Sequence, residues 1–246
     1  ISNDMFGKLL QEHLDENGVL TPAHRTDDPT TLAFARIAEG KAEYAFYSNG
    51  SADRRVTGKA LEAALAGSRP DCFQIGSISL LLEPGATEIY HFLQKNSADS
   101  TVSFDPNIRA SLVTDREWYL KRIRELFALS DIIKISDEDL EWIYPGIDTD
   151  RAASEILSLG PAVCVVTAGR NGVFWYSTGA TAFLKARDIT VVDTIGAGDT
   201  FHGGLLAYLH WSGNLDRGSL EAIDSTKALT ALKYASMAAE TNCLRQ

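Results

Sequence analysis

From residue 57 onward, short apolar runs alternate with helical stretches, and that alternation narrows the fold more than any other feature. Thr57–Ala66 reads as a helix, Cys72–Ile75 as a strand, Pro84–Gln94 as a helix and Thr101–Phe104 as a strand. Thr114 and Glu117 have capping-box spacing ahead of a helix reaching about Leu129, because hydroxyl and carboxylate can each satisfy the other's free backbone donor. Strand Asp131–Ile135, a short helix from Asp137, a helix through Ile156 and strand Val163–Val166 follow. Strands joined through helices must run parallel, so the fold class is α/β: a mostly parallel sheet with helices on both faces. Asn171-Gly172 ahead of Val173-Phe-Trp-Tyr176 predicts a hairpin, so the sheet gains antiparallel strands late. Two apolar helices, about Gly198–Trp211 and Ser225–Thr241, complete the pattern.

The first 56 residues differ. Met5, Phe6, Leu9, Leu10 and Leu14 have helical spacing within residues 5–17, stopping at Asn17-Gly18. Thr31–Ile37, a turn at Glu39-Gly-Lys41 and Tyr44–Tyr47 read as a two-stranded hairpin, a candidate lid over about residues 31–56 of one domain spanning 1–246. The chain begins at Ile1 without an initiator Met or a signal-peptide pattern, which predicts that it starts inside a longer protein.

Composition excludes several classes. A net charge of −10 disfavours broad contact with nucleic-acid phosphates. No apolar run approaches the length of a bilayer-spanning helix, so no membrane partner is expected. Three widely spaced cysteines, Cys72, Cys164 and Cys243, read as reduced thiols of a cytoplasmic protein. The five histidines are scattered and suggest surface or supporting roles. There is no G-x-G-x-x-G opening a βαβ unit and no G-x-x-x-x-G-K-[ST] loop, which argues against a dinucleotide oxidoreductase and a P-loop kinase.

The chemistry concentrates in Val191-Val-Asp-Thr-Ile-Gly-Ala-Gly-Asp-Thr-Phe-His-Gly-Gly-Leu-Leu206, which reads as a strand, a glycine-rich turn and a helix start. Gly196, Ala197 and Gly198 have minimal side chains, so a phosphate can approach their N–H groups and the positive helix end. Asp199 in the first helical turn can accept a proton from an attacking hydroxyl, although an Asp there also stabilises the helix dipole. Thr167, Gly169 and Gly172 follow a buried strand, where glycines let a nucleotide lie against backbone; Asn171-Gly172 alternatively forms only a turn. Lys134 and Asp139 sit at another strand end, where open α/β sheets place ligands. Asp105, Asn107 and Arg109 follow a further strand end, and Arg109 either binds phosphate oxygens or pairs with Asp105.

Asp193-Thr-Ile-Gly-Ala-Gly-Asp-Thr-Phe201 resembles the C-terminal signature of the ribokinase-like (PfkB) carbohydrate kinases. The likeness extends through the helix at 5–17, the hairpin, Phe104-Asp-Pro-Asn-Ile-Arg109, Lys134-Ile-Ser-Asp-Glu-Asp-Leu140 and Val166-Thr-Ala-Gly-Arg-Asn-Gly172. It implies a three-layer α/β/α sandwich with a small β lid, plus strands preceding the helix at 5–17 that this chain lacks. It also implies ATP with Mg2+ as phosphoryl donor, Asp199 as general base, Gly196, Ala197 and Gly198 as anion hole, and Arg109 near the transferred group.

Further roles come from the same resemblance. Lys134, Thr167, Gly169, Gly172, Gly198 and Asn242 would bind ATP, with Asn242 alternatively a helix C-cap. Asp139 would hold Mg2+ through water, although the family's usual Asn-x-x-Glu reads Ser136-Asp-Glu-Asp139 here. Asp193 and the Ile195 carbonyl would bind a monovalent cation such as K+; equally, Asp193 is a carboxylate holding the turn. Ala33, Phe46, Tyr47 and Asn107 would contact the sugar, though alternating aromatics on a short sheet also serve as core.

Ile75-Gly-Ser-Ile-Ser-Leu-Leu-Leu-Glu-Pro84 and Asp139-Leu-Glu-Trp-Ile-Tyr-Pro-Gly146 are most similar to the bacterial fructokinase branch, implying D-fructose as acceptor. A 2-keto-3-deoxygluconate kinase or another sugar or nucleoside kinase is the alternative, and a catalytically inactive sugar- or nucleotide-binding regulator belongs to another class. Lid sheets in the family often pair, so the resemblance allows a homodimer through the lid, with the oligomeric state left open.

Overall fold

A computed structural model describes residues 1–22, 24–38 and 41–244, and these divide into two compact units. The expected turn at Glu39-Gly40 lies outside the described residues.

The first unit comprises Ile1–Arg69, Ile78–Asn96 and Arg109–Thr114. Helix α1 (Met5–Glu16) starts where the Asp4 carboxylate accepts the Gly7 N–H at 2.7 Å, the usual way a short acidic side chain satisfies a free first-turn donor. Its expected apolar stripe is exposed, with Met5 70% and Leu9 62% accessible. Strands β1 (Leu32–Ala38) and β2 (Lys41–Tyr47) pair antiparallel, as the β-branched and aromatic pattern requires. Helices α2 (Gly58–Leu65) and α3 (Gly85–Asn96) pack together, and the Glu88 carboxylate accepts the Gly58 N–H at 2.7 Å. Arg54 donates to the carbonyls of Ser48 at 2.6 Å and Glu83 at 3.1 Å, tying the segment after the hairpin to the start of α3.

The second unit, Pro70–Ser77, Ser97–Ile108 and Asp115–Gln246, holds a six-stranded sheet in the order β3-β4-β5-β6-β7-β8. Strands β3 (Cys72–Gly76), β4 (Thr101–Asp105), β5 (Ile132–Ser136) and β6 (Val163–Thr167) run parallel. Strands β7 (Val173–Ser177) and β8 (Thr181–Leu184) add the antiparallel edge. The loop into β7 is a short 3₁₀ turn, Gly169–Asn171, closed by the Ala168 N–H on the Gly172 carbonyl at 2.9 Å. It is longer than a two-residue Asn-Gly turn.

Helices cover both faces of this sheet. On one, Phe104 of β4 meets Phe127 of α4 (Arg116–Leu129) at 5.6 Å between ring centres. Helices α5 (Asp137–Ile143) and α6 (Thr149–Ser158) carry the chain from β5 to β6. On the other, Ile132, Val163, Val165 and Trp175 pack with Phe201, Leu205 and Leu209 of α7 (Ala197–Trp211), with α8 (Arg217–Glu221), and with α9 (Ser225–Cys243). The three-layer arrangement read from the sequence is therefore present. Helix α4 begins one residue later than the capping-box spacing indicates: Asp115, not Thr114, is the cap, accepting the Trp118 N–H at 3.0 Å. Strand β8 and helix α8 were not expected; each is too short for a periodic signal.

Candidate active site

Strand β4 alternates its side chains, so Ser103 and Asp105 point to the face that α7 covers while Phe104 points away. Because Phe104 pairs in register with Ile133, Asp105 is the cross-strand neighbour of Lys134 on β5. The Lys134 ammonium pairs with Asp105 Oδ2 at 2.8 Å, with both side chains almost wholly buried. A methyl group built on Gly198 would stand 3.1 Å from Lys134 Nζ, so the ammonium lies directly beneath the glycine-rich turn. Lys134, expected from the resemblance to be an ATP ligand, is thus committed first to Asp105 and supports the turn from below. The buried counter-ion observed for Asp105 is Lys134.

Gly196 caps α7 at φ +76°, a left-handed conformation that side chains disfavour. The Ala197 N–H closes a tight turn onto the Thr194 carbonyl at 3.1 Å. Of the expected anion-hole residues, Ala197 is therefore already engaged, and Gly198 and Asp199 supply the first-turn N–H groups that no helical carbonyl can reach. The Asp199 side chain is exposed at this helix end.

The segment leading into the turn, expected as a strand, is irregular: no strand is formed between Leu184 and Ala197, and side-chain and α9 contacts hold it instead. Asp193 Oδ1 accepts the Ile195 N–H at 2.9 Å, and the Ile195 carbonyl accepts the Asn242 side-chain amide at 2.8 Å. The Cys243 carbonyl accepts the Val192 N–H at 2.9 Å. The C-cap of α9 is Leu244, so Asn242 is not the cap but a tether of the turn.

A second carboxylate, beside Asp105, completes the floor. Asp139, in the first turn of α5, accepts the Ile108 N–H at 3.1 Å, tying the loop after β4 to α5. Burial, with the Asp105 charge adding to it, pushes its carboxyl up to about 6. Among the described residues, Asp105 Oδ1 is buried without a hydrogen-bond partner. His202, one helical turn beyond Asp199, is buried as well, and its Nε2 lies 2.6 Å from Ser103 Oγ. Burial, reinforced by Lys134 and opposed by Asp199, lowers its pKa to about 4.

A cavity of about 630 Å³ opens beside the turn. Thr167, Gly169, Gly172, Ala197 and Gly198 line it, joined by apolar side chains such as Val173, Leu184 and Ile189. Gly172 sits at φ +107°, and an added methyl would stand 2.4 Å from the Leu184 carbonyl, so the strand crossing itself requires glycine there. Lys134 and Asn242 are not among the lining residues; α9 contributes Ser236, Ala239, Glu240 and Cys243 instead. Sequence reading missed those four because helix-face residues carry no motif.

In the first unit, Ala33 and Phe46 are register partners and share one face of the hairpin with Tyr44. The Arg109 guanidinium lies over the Tyr44 ring at 5.2 Å from its centre, a cation–π arrangement. Tyr47 falls on the opposite face, 65% exposed and edge-on to Phe34 at 5.7 Å. The hairpin cannot offer Ala33, Phe46 and Tyr47 to one ligand together, and Tyr47 leaves that set. Asn107, in the second unit, adopts φ +41° in the loop that Asp139 ties down.

A profile of the pfkB family carbohydrate kinases matches residues 1–243. The chain belongs to this family. It is 36% identical over 227 residues to a fructokinase of Rhizobium leguminosarum bv. trifolii, covering 91% of this chain and 68% of that protein. Fructokinase-1 of Zea mays is 32% identical over 241 residues, covering 96% and 72% respectively. Among solved structures, a fructokinase with bound ATP from Xylella fastidiosa superposes with a TM-score of 0.89 at 25% identity, covering all of this chain and 78% of that one. The ribokinase-like fold read from Asp193–Phe201 and its neighbours is thereby established, as is a fructokinase-like place within the family. Among the described residues, no helix is long and apolar enough to cross a membrane.

Proposed function

We propose that this chain transfers the γ-phosphoryl group of ATP to a hydroxyl of D-fructose, with Asp199 as general base. The observation that carries the reading is the first turn of α7: an exposed carboxylate beside unpaired N–H donors, above a buried ammonium, at the rim of a cavity large enough for a nucleotide. The fructose assignment rests on the similarity to fructokinases of Rhizobium and maize.

In the proposed reaction, Asp199 accepts the proton of the attacking hydroxyl as the new oxygen–phosphorus bond forms. The N–H groups of Gly198 and Asp199, aligned with the positive end of the helix dipole, receive the negative charge on the transferring group. Lys134 adds positive potential from below, and Thr167, Gly169 and Gly172 leave the nucleotide backbone-level access to the cavity wall. Arg109 and Asn107 serve the sugar and phosphoryl group, with Ala33 and Phe46 contributing to the sugar side.

The floor suits a divalent cation. Asp105 Oδ1 has no partner, and Asp139 carries a carboxyl pushed up by burial and by Asp105, so added positive charge would relieve both. Mg2+ reached through water by Asp139 would neutralise phosphate charge and orient the ATP chain. Asp193 and the Ile195 carbonyl would hold K+, since each oxygen keeps a lone pair beyond its present bond. The protein is proposed to act in the cytoplasm, as a homodimer paired through the hairpin.

A coupled ADP-release assay with fructose, ribose, 2-keto-3-deoxygluconate and adenosine tests the reading. Fructose should give the highest kcat/KM, and Asp199→Asn should abolish turnover while ATP still binds. Faster turnover of the keto acid would reassign the substrate. Unchanged turnover in Asp199→Asn would remove the mechanism.

A further inference from the structure

The layer between the sheet and α7 is apolar along most of its length, built from Ile132, Val163, Val165, Trp175, Phe201, Leu205 and Leu209. At the end carrying the transfer turn it becomes polar. Ser103, with no exposed surface, and His202, with 3%, face each other there across 2.6 Å, and the buried Asp105–Lys134 pair stands beside them. A buried hydroxyl and imidazole are retained at a packing cost that an aliphatic pair would avoid. They do offer a directional bond, which fixes the rotation of a helix more sharply than methyl contacts can. His202 is one turn from Asp199 on the same face of α7, and its ring feels both the Asp199 carboxylate and the Lys134 ammonium.

We propose that His202, locked to Ser103, is a positioning residue for the transfer centre. It fixes the rotation of the first turn of α7, and with it the Asp199 carboxylate and the N–H groups of Gly198 and Asp199. Burial lowers the imidazole's pKa, so its part is that of a hydrogen-bonding partner rather than a charge. This inference rests on the kinase reading for its catalytic consequence, but not for its structural one.

Four variants test it: His202→Phe, which fills the space without a polar atom; His202→Gln, which can still bond the hydroxyl; Ser103→Ala; and the double variant His202→Phe/Ser103→Ala, which leaves neither group unsatisfied. A misplacement of about 1 Å costs on the order of 100-fold in rate, so His202→Phe and Ser103→Ala should each lose about 10- to 100-fold in kcat. Their KM for ATP should change little, and His202→Gln should recover most of the rate. The double variant should regain thermal stability while kcat stays low. A merely structural role predicts the reverse, with kcat per folded molecule near wild type in every variant, and that result would overturn the proposal.

Amide hydrogen exchange over residues 193–204 decides the structural half without any turnover. Faster exchange there in Ser103→Ala, with α9 unchanged, is expected; exchange equal to wild type refutes the positioning role. If wild type phosphorylates none of the sugars, the proposed function falls, while the exchange result still judges this inference.

Discussion

Replacing Asp139 with Asn keeps an acceptor for the Ile108 N–H and removes a buried charge, so the pH dependence of its effect on stability follows from the titration of this carboxyl. The carboxyl is pushed from an ordinary value of 3.8 to about 6, first by burial and then by Asp105, with the Ile108 and Ser136 hydrogen bonds opposing. A raised acid pKa means the folded protein holds its proton longer than the unfolded chain. The associated stability is complete below about pH 4 and is lost as pH rises through about 6. Two pH units correspond to about 3 kcal/mol, an upper figure for what wild type forfeits by pH 8. The amide that replaces the carboxyl in the variant cannot ionise. Urea denaturation of the ligand-free protein should therefore show Asp139→Asn gaining about 1–3 kcal/mol over its pH 4.5 position relative to wild type when both are compared at pH 8. Mg2+ with ATP, by favouring the ionised carboxyl, should narrow the gap. A difference that is the same at both pH values, or a variant that loses ground at pH 8, would refute the account of the floor as a strained carboxylate pair.

Three further outcomes follow from the contacts. Lys134→Met strips the buried Asp105 of its counter-ion and should cost about 3–5 kcal/mol by chemical denaturation, most of it regained when Asp105→Leu is added. Gly172→Ala forces a methyl against the Leu184 carbonyl at a left-handed position and should lower stability by more than about 1 kcal/mol while weakening ATP binding in calorimetry. Asn242→Ala removes the amide that bonds the Ile195 carbonyl; stability should fall by about 1 kcal/mol, and exchange should quicken at residues 193–197.

The layered core was legible because buried parallel strands such as Ile132–Ser136 and Val163–Thr167 are nearly unbroken apolar runs, and their spacing by helices leaves few topologies. The transfer turn was legible for a different reason: glycine at Gly196 answers a left-handed backbone demand that few other residues meet, and a side chain at Gly198 would crowd the Lys134 ammonium. What sequence could not display is direction in space. Lys134 reads as a strand-end cation free to meet phosphate, and only cross-strand register with β4 shows that Asp105 claims it. Tyr47 and Phe46 are adjacent in sequence, and the pleat alone sends them to opposite faces. His202 looked like one scattered histidine among five, since its partner Ser103 lies 99 residues away. Thr114 lost its capping role to Asp115 because a one-residue shift of a helix start leaves periodicity unchanged.

The bond from Asn242 to the Ile195 carbonyl spans 47 residues, and its neighbour Cys243 holds Val192. During synthesis the whole transfer turn emerges long before these anchors do. A nascent chain that has reached residue 230 already contains Asp193, Gly196, Gly198 and Asp199 in sequence, yet lacks the Asn242 and Cys243 anchors of the segment leading into them. The segment leading into the turn thus gains these two anchors only after the far end of α9 has left the ribosome and folded back.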